Sequence, residues 1–320
     1  MILKPELANC VNRKWKAKTH PDTTEPTEWF SQSYLPADYY GLTFDFFVCW
    51  GEGNNISNEF WIKRTVDKTA FDYWPNKDKN TLQNALEQSE GKDFLERFGA
   101  FSASQNIKAK YQLFHDSLKW SDYPAAIITA EVDHSGEVCD TQKNKIEYIK
   151  SEIQRLSGGE VFVGDKKLTY AQTMLECHLT NDDTGAAWPG DVDLLLFNEN
   201  KQPIAIIEFK KNTFKPGEEK HRPIKDEKLS NYYRSGKAAE DNRKYNRLAI
   251  LRDFINPELP FINLYYPTWV SPNPAENVIK LEKVTGNVGA LQAIDVKYEP
   301  VPYNQADKEK VIETLLKMIK

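Results

Sequence analysis

Apolar residues follow two different periods along the chain, and these periods predict a mixed α/β fold. Leu42 to Trp50 carries apolar side chains at alternate positions, as a strand with one buried face does. Phe60 to Val66 and Ala125 to Val132 are short apolar runs that indicate two more strands, with helical structure expected around Leu82 to Phe98. The first 140 residues are therefore expected to form an N-terminal region rich in strands.

After residue 141 the pattern changes to helices that alternate with strands. Apolar residues at helical spacing precede a Gly-Gly pair that would end the helix, namely Ile146, Ile149, Ile153 and Leu156 before Gly158. A second helix is predicted over Leu168 to Leu179. Further elements are predicted in this order: a long polar helix over Lys225 to Tyr245, strands over Arg247 to Phe254 and Phe261 to Tyr266, a hairpin around Gly286, and an amphipathic helix from Ala306. These patterns divide the chain into three predicted regions: residues 1–140, a core at 141–270 and a C-terminal extension at 271–320.

Two apolar runs separated by a polar loop predict a hairpin of buried strands at Val192 to Phe197 and Ile204 to Phe209. If the loop has four residues, facing residue numbers sum to 401. Asp193 then lies opposite Glu208, and Asp191 lies opposite Lys210. Side chains alternate with a period of two along a strand, so all four charged residues share one face.

Buried strands rarely carry charge unless it is paired or bound to a metal. Two carboxylates placed opposite one another repel unless a cation joins them. Carboxylate oxygens suit Mg²⁺ or Mn²⁺, so the sequence predicts a divalent metal site at one end of the hairpin.

The hairpin resembles the PD-(D/E)XK nuclease superfamily, which has the restriction-endonuclease-like fold. The resemblance lies in Gly190-Asp-Val-Asp-Leu-Leu-Leu-Phe197, a turn, and Ile204-Ala-Ile-Ile-Glu-Phe-Lys-Lys211, and it covers residues 141–270. It implies that metal ligands are provided by Asp193, Glu208, the Phe209 carbonyl and Glu176. It also implies that Lys210 orients or activates the attacking water.

Two departures from the family pattern leave alternatives open. The Pro-Asp pair of the family is Pro189-Gly190-Asp191 here, so Asp191 competes with Asp193 as the metal ligand. Asp193 is preferred as the metal ligand because it faces Glu208. Asp191 would then pair with Lys210 or contact the metal ligands without binding the metal itself. The Gln-x-x-x-Tyr signature of some branches is not found on the following helix. A rival acid-x-lysine motif, Asp295-Val-Lys297, has no matching aspartate upstream.

Charge along the chain is uneven. The 320 residues carry a net charge of −5, which argues against general coating of nucleic acid or anionic membrane. Residues 210–247, however, contain twelve Lys and Arg against six Asp and Glu. The candidate contacts to a phosphate backbone in this segment are Lys211, Lys215, Arg222, Lys225, Lys228 and Tyr232.

The resemblance implies a Mg²⁺- or Mn²⁺-dependent nuclease that hydrolyses phosphodiester bonds, with DNA favoured over RNA. The alternative is a nucleic-acid-binding or complex-assembly protein that has the fold without the activity. No leader or apolar run long enough to span a membrane is seen, so a cytoplasmic protein is expected. The sequence identifies neither protein partners nor the oligomeric state, and a homodimer is one of the open alternatives. The aromatic N-terminal segment, with 15 of the 39 aromatic residues before position 76, either fills a core or stacks on bases.

Overall fold

A computed structural model describes residues 2–3, 20, 22–50, 53–66, 79–114, 127–160, 189–213, 221–234 and 242–320. The predicted helix at 168–179 lies outside these ranges. The helices and strands of the described residues follow one another in this order: β1 (Ile2–Leu3), α1 (Pro26–Trp29), β2 (Tyr40–Cys49), β3 (Asn55–Val66), α2 (Lys79–Glu90), α3 (Lys92–Ser104), β4 (Lys108–Phe114), β5 (Ile127–Val132), β6 (Val138–Asn144), α4 (Ile146–Leu156), β7 (Gly190–Phe197), β8 (Pro203–Asn212), α5 (Asn242–Ile255), β9 (Phe261–Pro267), β10 (Val278–Thr285), β11 (Gln292–Pro300) and α6 (Gln305–Ile319).

The fold is mixed α/β, as the sequence predicts. Parallel pairs, β3 with β4 and β8 with β9, occur beside antiparallel ones. The chain forms two compact units, one of residues 1–16 and 44–191 and the other of residues 17–43 and 192–320. Both are discontinuous, and they do not coincide with the three predicted regions, which stay a prediction. In the described ranges no helix is both long and apolar enough to cross a membrane.

The first unit is built on strands β3 to β6 with α4 against them. The predicted helix is confirmed, since Ile146, Ile149, Ile153 and Leu156 pack on Phe47, Trp61, Phe114 and Ile127. It ends as predicted at the Gly-Gly pair: Gly158 and Gly159 both have positive φ, and the Gly159 N–H donates to the Gln154 carbonyl at 2.8 Å. Aromatic rings from the N-terminal segment pack on one another in this core, with Phe47 and Trp61 4.7 Å apart between ring centroids.

The second unit has β8 between β7 and β9, followed by β10 and β11. The hairpin register is confirmed for three pairs, because Leu194, Leu195 and Leu196 face Ile207, Ile206 and Ala205. The pairing of Asp193 with Glu208 and of Asp191 with Lys210 stays a prediction. At the loop end the register shifts by one, so Phe197 faces Pro203. One sheet face packs on α6, the amphipathic helix predicted near the C-terminus, which buries Val311, Ile312, Leu315 and Met318. The predicted hairpin around Gly286 is also confirmed as β10 and β11.

Two predicted elements are wrong. The helix over Lys225 to Tyr245 is replaced, within the described residues, by 3₁₀ turns at Ile224–Asp226 and Leu229–Asn231 before α5 begins at Asn242. The strand over Arg247 to Phe254 is part of α5. A short apolar run of this kind suits a buried helix as well as a buried strand, and the tertiary packing decides between them.

Candidate metal and nucleic-acid site

The open end of the β7–β8 hairpin brings Asp193 beside the backbone of Phe209. Asp193 is half-buried, and its Oδ2 accepts a hydrogen bond of 2.7 Å from the Phe209 N–H. Ile206 and Asn212 direct their backbone groups to the β9 side, so the N–H and C=O of the odd-numbered Phe209 face β7. Two predicted ligands, the Asp193 carboxylate and the Phe209 carbonyl, therefore face the same gap between strands.

Glu208 is the most deeply buried of the predicted site residues, with 1% of its surface exposed. Its Oε1 lies 3.1 Å from Lys210 Nζ and 2.7 Å from Lys244 Nζ. Neither Oε1 nor Oε2 has a hydrogen-bond partner in the described part of the chain, so the two amines contact Oε1 as ion pairs. Two ammonium groups thus offset the charge of this carboxylate, while one of its oxygens stays open to a further donor or cation.

Lys210 is buried between two aromatic rings. Its Nζ lies 5.1 Å from the ring centroid of Tyr232 and 5.0 Å from that of Tyr245. Both rings present their electron-rich faces to the ammonium group, which restricts its position. The predicted catalytic lysine is therefore held in place from three sides, by Glu208 and by the two tyrosines.

The hydroxyl of Tyr232 is held in place by the buried carboxylate of Glu227. The hydroxyl donates to Glu227 Oε2 at 2.8 Å, and Asn212 Nδ2 donates to Oε1 of the same carboxylate at 2.8 Å. Burial raises the pKa of Tyr232 above its ordinary value, and the negative charge of Glu227 raises it further. The hydroxyl consequently stays protonated and keeps donating, which fixes the 3₁₀ turns against β8.

A second polar row lies on the same sheet face, on β9 and β10. Asn263 faces Glu208 in the register of β8 and β9, and it faces Glu282 in the register of β9 and β10. Glu282 Oε2 accepts a hydrogen bond of 2.7 Å from the Tyr265 hydroxyl, and its Oε1 lies 3.4 Å from Lys280 Nζ. Three adjacent strands therefore carry buried polar groups where their other face is apolar.

The remaining predicted ligands have different placements. Asp191 is half-buried in β7 and belongs to the first compact unit, so its pairing with Lys210 stays a prediction. Glu176 lies outside the described residues. Among the residues that are described, no three His, Cys, Asp or Glu side chains come together as a metal-binding group.

The predicted phosphate contacts divide between exposed and buried positions. Lys225 and Lys228 are exposed on the 3₁₀ turns, and Arg222 is exposed at 3.5 Å from Glu227. Lys211 Nζ pairs with Glu25 at 2.9 Å at the surface. Tyr232 instead faces inward to Lys210. Lys215 lies outside the described residues.

Sequence reasoning missed three residues of this site: Lys244, Glu227 and Asn263. Lys244 and Glu227 lie in a polar stretch that contains many charged residues, so the sequence does not distinguish them from exposed charges. Asn263 did carry a signal, because it interrupts the apolar strand Phe261 to Tyr266 just as Glu208 interrupts its own. An amide in a buried strand needs hydrogen-bond partners, so its presence in this apolar run indicates polar groups nearby.

Comparisons with protein-family models, curated proteins and solved structures find no significant match to the chain.

Proposed function

We propose that the second unit carries a restriction-endonuclease-like core and that the protein is a divalent-metal-dependent nuclease. The observation that carries the proposal is the buried Glu208 carboxylate, with Lys210 Nζ at 3.1 Å and its other oxygen open. A carboxylate with 1% exposure is costly to desolvate, so its position in a buried strand supports a chemical role.

The residues present fit a hard divalent cation. Asp193 and Glu208 offer carboxylate oxygens, and the Phe209 carbonyl faces the same side of β8 as the Asp193 carboxylate. These donors are all oxygens, as Mg²⁺ and Mn²⁺ prefer. When bound, such an ion supplies charge stabilisation at the phosphoryl group and lowers the pKa of a coordinated water. Lys210, held by Glu208 and two aromatic rings, orients water and offsets negative charge beside the scissile phosphate.

Exposed basic groups near the site support nucleic acid as the substrate, with DNA favoured over RNA. Arg222, Lys225 and Lys228 are exposed on the segment that packs over Lys210 through Tyr232. Positive side chains at this position would contact the phosphates that flank the cleaved bond.

The direct test is a cleavage assay on single-stranded DNA, double-stranded DNA and RNA with Mg²⁺ or Mn²⁺. We expect metal-dependent cleavage that Asp193→Ala and Lys210→Ala each reduce by at least about a thousandfold, because each removes a group from the reacting centre. The matched control is Lys297→Ala in the rival motif on β11, where Lys297 is half exposed and pairs with Asp295 at 3.6 Å. Full activity in both site variants would refute the assignment.

One observation favours a second candidate, a nucleic-acid-binding protein without catalysis. Lys244 Nζ lies 2.7 Å from Glu208 Oε1, so two lysines already offset the charge of this carboxylate. Calorimetric titration with Mn²⁺ separates the two candidates. Nucleic-acid binding without any Mn²⁺ binding that depends on Asp193 and Glu208 would support this second function.

A further inference from the structure

Asn263 has a fully buried amide whose oxygen is unpaired. The side chain is 0% exposed, and Nδ2 donates at 3.3 Å to the Tyr265 hydroxyl and at 3.4 Å to Glu282 Oε2. Oδ1 has no hydrogen-bond partner among the residues the structure describes. Buried side-chain carbonyl oxygens are nearly always paired, so this one marks a place for a donor or a cation.

Asn263 lies beside Glu208 in the sheet. It is in register with Glu208 on one neighbouring strand and with Glu282 on the other. The partners of Nδ2 are Tyr265 on β9 itself and Glu282 on β10, and the two polar atoms of an amide diverge, so we infer that Oδ1 turns to the β8 side. On β8 both oxygens of Glu208 are also buried without a hydrogen-bond partner in the described residues. The ion pairs of this carboxylate join Lys210 and Lys244 to Oε1.

We propose that Asn263 Oδ1 and Glu208 Oε2 together bind a divalent cation, which makes Asn263 a metal ligand on β9. This inference rests on the proposed function and adds to it a ligand that the family motif does not include. The nearby amines are already engaged elsewhere: Lys210 and Lys244 lie on Oε1 of Glu208, and Lys280 lies beside Glu282. A carboxylate and a neutral amide oxygen form a donor pair suited to Mg²⁺ or Mn²⁺.

The experiment is calorimetric titration of Mn²⁺ alone into the full chain and its variants. Asn263→Leu removes the oxygen and keeps the branched shape of the side chain, and we expect it to weaken Mn²⁺ binding by about tenfold or more. Asn263→Asp replaces the neutral oxygen with a charged one, and we expect it to tighten Mn²⁺ binding. Asn246→Leu is the control, because that amide accepts from the Gly289 N–H at 3.0 Å, away from Glu208.

Several results would overturn the inference. An unchanged Mn²⁺ affinity in both Asn263 variants would show that Asn263 is not a ligand, and absence of Mn²⁺ binding to the wild-type chain would also refute the proposed site. If Asn263→Leu does not fold, as judged by circular dichroism, Asn263→Asp still provides the test. Cleavage that persists while Asn263 has no effect on Mn²⁺ binding refutes this inference alone. Mn²⁺ binding that depends on Asn263 in a chain without cleavage refutes only the proposed activity.

Discussion

At the scale of single residues, the positive charges next to the Glu208 carboxylate control how readily a cation binds there. Its carboxylate is buried, and Lys210 and Lys244 both lie within 3.1 Å of Oε1. A cation entering this site meets two positive charges at short range, and in a partly buried environment such charges repel one another strongly. Lys244, whose side chain is 28% exposed, can leave more easily than Lys210, which is enclosed by two tyrosine rings.

The charge-removing variant Lys244→Met is therefore expected to bind Mn²⁺ more tightly. We expect a gain of about tenfold, equivalent to about 1.4 kcal/mol, because a positive charge next to the ligand is removed while the aliphatic stem is kept. Titration calorimetry measures the effect, with Lys317→Met on the exposed side of α6 as the control. Equal or weaker Mn²⁺ binding in Lys244→Met would show that Lys244 does not compete with the cation.

At the scale of elements, α6 stabilises the sheet from the face opposite the site. Val311, Ile312, Leu315 and Met318 are buried against the apolar side of β7 to β10. The odd-numbered side chains of β8 point to this helix and the even-numbered ones to the polar site. Stability and chemistry are therefore carried by opposite faces of the same strand.

Truncation of Leu315 separates the two roles. Leu315→Ala leaves a cavity at a fully buried position, and we expect it to lower the free energy of unfolding by about 2–5 kcal/mol. Urea denaturation measures the loss. Lys317→Ala, two residues along and exposed apart from its pair with Glu313, should change it by less than about 0.5 kcal/mol. Mn²⁺ affinity should match wild type in both variants, and a large change for Leu315→Ala would indicate that α6 shapes the site.

At the scale of the whole molecule, buried tyrosines set the response to alkaline pH. Burial raises the pKa of Tyr111 in the first unit and of Tyr265 in the second, and a nearby carboxylate adds to the shift in each. The folded chain keeps these protons above pH 10, whereas the unfolded chain releases them. The folded state then binds more protons, so stability falls as pH rises.

The free energy of unfolding should be insensitive to these groups below about pH 10 and should fall above it. Each fully buried tyrosine contributes a slope of about 1.4 kcal/mol per pH unit. Urea denaturation at a series of pH values measures the slope, which should be shallower in Tyr265→Phe and unchanged for the exposed Tyr298→Phe. A constant free energy of unfolding across this range would contradict the prediction.

Particular elements show how far sequence reasoning reaches. The hairpin was predictable because two apolar runs and a short polar loop leave little freedom in register, and three of its pairs follow the predicted sum. The secondary structure of the later segment Arg247 to Phe254 was not predictable, because its apolar run fits a buried strand and a buried helix equally well. Buried charge alone does not identify a metal site, since Glu59 in the first unit is also buried and pairs with Lys110 at 2.7 Å.

The sequence by itself determined the mixed α/β class, the β7–β8 hairpin with the register of its three central pairs, and the amphipathic helix at the C-terminal end. These depend on local periodicity and on short-range pairing, which the residue order encodes directly. Only the tertiary structure decided that Lys244 and Asn263 share the surroundings of Glu208. They reach it from α5 and β9, across more than thirty residues of chain, and such proximity depends on which strands pair and which helix covers them.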